Sequence, residues 1–127
     1  MVRGPTILVV DDELASRIAL RRILAGAGYR YVDASTGAQA LGTWLIEHSC
    51  EMIVLDPVLA DMDGFELIRV IRHRSAMPII VLSTSDDERA KVRAFDFGVD
   101  DYVTKPFGKR AVGATTNGLS APLPSKG

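Results

Sequence analysis

The chain has 127 residues, with 15 Lys and Arg against 16 Asp and Glu and a net charge of −1. That length suits one domain around a single core, and the near-neutral balance supplies no basic field to draw the chain to nucleic acid or anionic lipid. A single cysteine, Cys50, excludes an internal disulfide and reads as a small core residue in a reducing compartment.

The first apolar run, Ile7-Leu8-Val9-Val10, stops at Asp11 and Asp12, too soon for a secretory signal or a membrane span. A cytoplasmic protein with no membrane partner is expected. The run is continuous rather than alternating, which predicts a strand buried on both faces of a parallel sheet. Leu14 to Ala25 follows as a helix, with Leu14, Ile18 and Leu24 toward the core and Arg17, Arg21 and Arg22 toward solvent. Gly26 and Gly28 supply its stop. A weaker strand is expected at Tyr31-Val32. Thr36-Gly37-Ala38-Gln39 opens a second helix as a capping box, and that helix runs through Leu41, Trp44 and Leu45. Met52-Ile53-Val54-Leu55 reads as the next strand, followed by a helix from Phe65 to His73 that stops before Pro78. Ile79-Ile80-Val81-Leu82 is another strand. Ser85-Asp86-Asp87-Glu88 forms a second capping box, opening a helix that closes at Gly98, and a short strand spans Asp101 to Val103.

Strands alternating with helices at this spacing predict an α/β fold, an open, doubly wound parallel sheet with helices on both faces. From Gly108 the rhythm breaks, with glycines at 108, 113 and 118 and prolines at 122 and 124. In a helix interior glycine costs about 1 kcal/mol and proline about 3 kcal/mol, and no apolar stripe offsets them. Residues 1–107 are therefore read as the domain and 108–127 as an irregular tail or linker, native or foreign.

In an open parallel sheet, functional groups gather beyond the carboxyl ends of the strands. The residues just past the apolar runs are Asp11 and Asp12, then Asp56, then Ser83, and the last strand leads to Lys105. Carboxylates brought together repel unless a cation joins them, and Mg2+ is the hard, oxygen-seeking candidate. Asp56 is then placed to attack phosphorus as a nucleophile, with Lys105 and the Ser83 hydroxyl facing the phosphoryl oxygens. Singly, each residue has a plainer reading as a helix cap, turn residue or solvated lysine; their ordered joint appearance favours the chemistry.

Asp61-Met62-Asp63-Gly64 invites a dehalogenase-type phosphatase motif or a calcium loop. Phe65 after the glycine and the missing closing glutamate favour a polar turn into the third helix. His48 and His73 have no partner ligands at metal-binding spacing and read as surface or helix-end residues.

Val9-Val10-Asp11-Asp12-Glu13, Val54-Leu55-Asp56 with Gly64 beyond it, Ile80-Val81-Leu82-Ser83, and Asp100-Asp101-Tyr102-Val103-Thr104-Lys105-Pro106-Phe107 together resemble the receiver domains of bacterial two-component response regulators. Gly98-Val99-Asp100-Asp101-Tyr102 is most similar to regulators whose output is a winged-helix DNA-binding domain. The resemblance implies a flavodoxin-like sheet of five strands in the order 2-1-3-4-5, and a phosphorylation switch rather than a turnover enzyme. It implies Asp56 as phosphoacceptor, and Mg2+ held by Asp12, Asp56 and the Val58 carbonyl, with Asp11 acting mainly through water. Lys105 would contact the phosphoryl group across a cis bond to Pro106, with Ser83 and Tyr102 as switch residues. It further implies a sensor histidine kinase as donor, a homodimer on activation, and transcriptional output through a DNA-binding domain outside this chain. Direct nucleic-acid contact is not expected, since no recognition helix or basic patch is present. A receiver that folds but works without phosphate is the rival reading. The sequence departs from the family at Pro57, at Ala60 and after Phe107, where an amphipathic fifth helix would normally follow; Asp96, Asp100 and Asp101 would still supply the acidic side of the output face.

Overall fold

The structure, a computed structural model, describes residues 6–46 and 50–106. The side chain of Leu45, His48 and the segment 107–127 lie outside the described residues.

β1 (Thr6–Val10), β3 (Cys50–Leu55) and β4 (Ile79–Ser83) are almost wholly buried. Their unbroken apolar runs suit a parallel sheet covered on both sides. With β2 (Arg30–Ala34) and β5 (Asp101–Thr104) they form one sheet in the order β2-β1-β3-β4-β5, every pairing parallel. Successive strand residues point to opposite faces, so two cores arise. Ile7, Val9, Met52, Val54, Ile80 and Leu82 pack on one face, where α1 (Leu14–Gly26) adds Leu20 and Leu24. Leu8, Val10, Ile53, Leu55, Ile79 and Val81 pack on the other. That second face is covered by α2 (Gly37–Ile46), α3 (Gly64–Arg72) and α4 (Glu88–Asp96). Cys50 is buried, as its apolar neighbours suggest.

Two helices depart from expectation. α1 buries Ser16, Leu20 and Leu24, whereas Leu14 and Ile18 are 61% and 41% exposed. Residues four apart keep one face, while Ile18 lies six before Leu24 and so well round a cylinder of 3.6 residues per turn. Ser16 is tolerated there because its hydroxyl donates to Glu13. Arg17 is also not a free solvent arginine, since its Nη1 donates to the Asp11 carbonyl at 2.7 Å. α4 opens not at Ser85 but two residues later, where Asp87 accepts the Arg89 N–H at 3.0 Å. Ser85 makes the turn before the helix: its Oγ accepts the Asp87 N–H at 3.3 Å and its carbonyl accepts the Tyr102 hydroxyl at 2.6 Å.

The other boundaries shift by a residue or two. α3 begins at Gly64 behind an Asp63 cap, β2 extends from Arg30 to Ala34, and β5 reaches Thr104. Gly98, just past α4, has φ +94°, the left-handed conformation that glycine adopts without penalty. No helix among the described residues is long and apolar enough to cross a membrane.

Candidate functional site

Strand order reverses at β1, between β2 and β3, and the register there carries Asp11 and Asp56 to one level. Val10 pairs with Leu55, and the Asp56 N–H donates to the Val10 carbonyl at 2.9 Å. At the far side Ser83 pairs with Thr104, and the Lys105 N–H donates to the Ser83 carbonyl at 2.7 Å. These backbone bonds set Asp11, Asp56, Ser83 and Lys105 along one edge of the sheet.

Lys105 is the hub. Its ammonium donates to Asp56 Oδ2 at 2.6 Å and to Asp11 Oδ2 at 2.7 Å, with Glu13 Oε1 at 3.7 Å. Asp11 is 1% exposed and Asp56 9%, so two nearly buried carboxylates share one cation. The remaining oxygens are also used: Asp11 Oδ1 accepts the Glu13 N–H at 2.9 Å, and Asp56 Oδ1 accepts the Val58 N–H at 2.8 Å. Burial pulls the Lys105 pKa down, but the hydrogen bonds and charges of Asp11 and Asp56 outweigh it and leave it raised above 10.5. The Ser16 hydroxyl, and then the charge of Lys105, hold Glu13 below its usual 4.5.

Asp12 is exposed beside this cluster, and among the described residues no three acidic, histidine or cysteine side chains are gathered as a metal group. Asp11 and Asp56 meet on Lys105, whose ammonium offsets their mutual repulsion. The donor chemistry still suits a hard divalent ion: carboxylate oxygens at adjacent strand ends, with Asp12 next in the chain.

Ser83 is buried, and its Oγ accepts the Ser85 N–H at 3.1 Å. Val58, 71% exposed, pairs with Asp63 in an isolated antiparallel bridge. The Lys105–Pro106 peptide is cis. An open cavity of about 570 Å³ separates the loop after Asp56 from α4, with Val58, Met62, Ser83, Arg93 and Tyr102 among its walls.

Sequence reasoning missed the supports of this edge. Asp61 accepts the N–H groups of Gly37 and Ala38 at 2.9 and 3.0 Å, tying the loop to the start of α2; those bonds hold its carboxyl below the ordinary 3.8. Asp63 caps α3 through the Phe65 N–H and reaches Arg93 of α4 at 3.4 Å. The polar Asp-x-Asp-Gly turn was visible, but its partners lie 23 to 30 residues away.

The family model for the response regulator receiver domain matches residues 7–117. The chain is 46% identical over 102 residues to the transcriptional regulatory protein KdpE of Mycobacterium tuberculosis, covering 80% of this chain and 45% of that protein. It is 40% identical over 114 residues to the alkaline phosphatase synthesis transcriptional regulatory protein PhoP of Bacillus subtilis, covering 89% and 47% respectively. It therefore spans about half the length of these curated relatives. Among solved structures, the receiver domain of a Francisella response regulator superposes with a TM-score of 0.85 at 28% identity, covering 92% of this chain and 97% of that one. Chemotaxis protein CheY4 of Vibrio cholerae gives 0.85 at 26% identity, covering 93% and 99%.

Proposed function

The chain belongs to the response regulator receiver domain family, and on that premise we propose that it is a switch phosphorylated on Asp56. The observation that carries this reading is the nearly buried Asp56 carboxylate, held at a strand end by Lys105 and the Val58 N–H. Such a carboxylate is oriented before any donor arrives. A carboxylate oxygen of Asp56 attacks the phosphorus of a phosphohistidine on a sensor kinase. The O–P bond forms as the P–N bond breaks, and the imidazole leaves with a proton from solvent. Lys105, already within contact of Asp56, turns its ammonium to a phosphoryl oxygen, and Ser83 offers its hydroxyl to another. Mg2+, held by Asp12, Asp56 and the Val58 carbonyl, with Asp11 through water, would supply charge neutralisation for the phosphoryl oxygens.

The output is a change at α4 and β5, with Ser83 and Tyr102 as the residues that respond. Residues 1–107 are read as the switch and 108–127 as an irregular tail or linker, native or foreign, with transcription controlled through a DNA-binding domain outside these residues. A second copy of the chain is the partner on activation, and the cytoplasm is the setting. Neither Val58 nor Ser85 carries an acid or amide to orient a water on the acyl phosphate, so the phosphorylated state is long-lived.

The rival is a receiver that works without phosphate, favoured by Lys105 already satisfying both Asp11 and Asp56. Intact-mass measurement after incubation with acetyl phosphate and Mg2+ separates the two. A gain of one phosphoryl mass, absent in Asp56→Asn, supports the switch. No gain in folded protein leaves the rival.

A further inference from the structure

α4 is a helix with little to hold it. Ala94 is its one buried residue, and Val92 and Phe95 stand exposed. What it has instead is Arg93. The Arg93 guanidinium lies 4.2 Å from the Phe65 ring centroid and 5.6 Å from that of Phe97, and the two rings are 5.1 Å apart. The same guanidinium reaches Asp63 Oδ2 at 3.4 Å.

Asp63 is a fixed point. Its other oxygen caps α3 through the Phe65 N–H at 2.9 Å, and the Gly64 N–H donates to the Pro57 carbonyl at 2.8 Å. Asp61 ties the same loop to α2. The loop is thus anchored to α2 and α3 without help from α4, so when the Arg93 contact opens, α4 is the part that moves. The cavity between the loop and α4 leaves room for that movement. The loop also begins at the acceptor: Val58, opposite Asp63 in the bridge, donates its N–H to Asp56 Oδ1.

We infer that Arg93 is a latch, pinning α4 to the loop behind Asp56 in the resting protein and opposing the rearrangement that accompanies phosphorylation. The pinning stands on the geometry alone; the regulatory half rests on the phosphorylation reading above. Arg93 is a positioning residue that touches no reacting atom. Conversion of Asp56 to its acyl phosphate changes the acceptor facing the Val58 N–H. That change reaches the loop through the Val58–Asp63 bridge; with Asp63 held by the α3 cap, the Arg93 contact is what gives and α4 is what moves.

The test compares the parent with Arg93→Gln, Arg93→Lys and Asp63→Asn. Asparagine keeps an oxygen for the α3 cap but loses the ion pair; lysine keeps the charge but loses the planar stacking. Hydrogen exchange of α4 amides in the unphosphorylated protein should quicken by roughly fivefold in Arg93→Gln, with α3 and β3 unchanged, as loss of the cross-helix contact with Phe65 at about 1 kcal/mol predicts, the Phe97 contact lying within α4's own end and the exposed Asp63 pair adding little. Arg93→Lys and Asp63→Asn should fall between. Labelling by acetyl phosphate should be faster in Arg93→Gln, an effect that a merely stabilising residue would not produce. Unchanged α4 exchange in both Arg93→Gln and Asp63→Asn overturns the latch, and unchanged or slower labelling in a parent that does accept phosphate overturns its regulatory role. A parent that takes no label overturns the phosphorylation reading instead, and the exchange data still decide the pinning.

Discussion

α3 and α4 are alike on paper. Each has nine residues, each is capped by an aspartate accepting the N–H two positions on, and each carries a glutamate in its first turn and arginine in its last, two in α3 and one in α4. They cover the same face of the sheet. Yet α3 buries Gly64, Phe65, Leu67, Ile68 and Ile71, whereas α4 buries Ala94. Caps and terminal charges are matched, so the difference in anchorage lies in the apolar residues each helix offers the sheet. Burial of aliphatic side chains holds α3, while polar and cation–π contacts at its rim hold α4. Contacts of that kind are individually weak, so α4 should open more readily than α3.

The largest expected effect tests that contrast directly. Ile68→Ala, at a fully buried α3 position, should cost roughly 2–5 kcal/mol in urea unfolding. Val92→Ala, on the exposed side of α4, should stay within about 0.5 kcal/mol. Comparable losses at the two sites would break the comparison.

The glycines at the outer limits of the two helices sharpen it. A Cβ on Gly64 would lie 2.5 Å from the Pro57 Cα, a backbone atom that cannot swing aside. Gly64→Ala should therefore cost roughly 1–3 kcal/mol as overpacking and shift the loop behind Asp56. Gly98→Ala meets a different obstacle, its φ of +94°, and should cost roughly 1–2 kcal/mol. Thermal unfolding ranks the two, and loss of the Val58–Asp63 bridge in Gly64→Ala alone is the expected signature by NMR.

Smaller still is the cap. Asp87→Ala removes the acceptor for the Arg89 N–H and should cost about 1 kcal/mol. With so little of α4 buried, the loss should appear as faster amide exchange within α4 and hardly at all in the global transition. A full global penalty would mean that α4 unfolds only with the rest of the domain.

The same contrast separates what was legible in the sequence from what was not. The β1, β3 and β4 runs were readable because strands buried on both faces leave no polar alternation. The ends of those runs named Asp11, Asp56 and Ser83, because a strand's last residue fixes where its successor sits. Helix faces were harder. α1 offers apolar residues all round, so Leu14 and Ile18 looked as eligible for the core as Leu20. The start of α4 was misplaced because Ser85, Asp86 and Asp87 are all competent caps; Ser85 bonds the Asp87 N–H in the preceding turn and Asp87 bonds the Arg89 N–H as the cap, while the Ser85 carbonyl is held by the Tyr102 hydroxyl, 17 residues away. The i,i+4 spacing of Arg93 and Phe97 is local, but the Phe65 ring that Arg93 also covers lies on another helix and leaves no local signal.

Both helices begin at the edge where Lys105 sits between Asp11 and Asp56, and pH offers a way to weaken that edge without mutation. The Lys105 pKa is raised in the folded protein, against an unfolded value near 10.4. Its contribution to stability is therefore complete below the unfolded value and is lost as pH rises through the folded one. Other groups titrate there too, so the informative quantity is the difference in urea midpoint between the parent and Lys105→Met as pH rises past about 10.4. The parent should lose stability faster than the variant, because deprotonation leaves Asp11 and Asp56 nearly buried without their cation. α4 amides should open before those of α3 as it does. Parallel curves would show that the ammonium contributes no net stability there, and simultaneous opening would show that α3 and α4 are anchored alike after all.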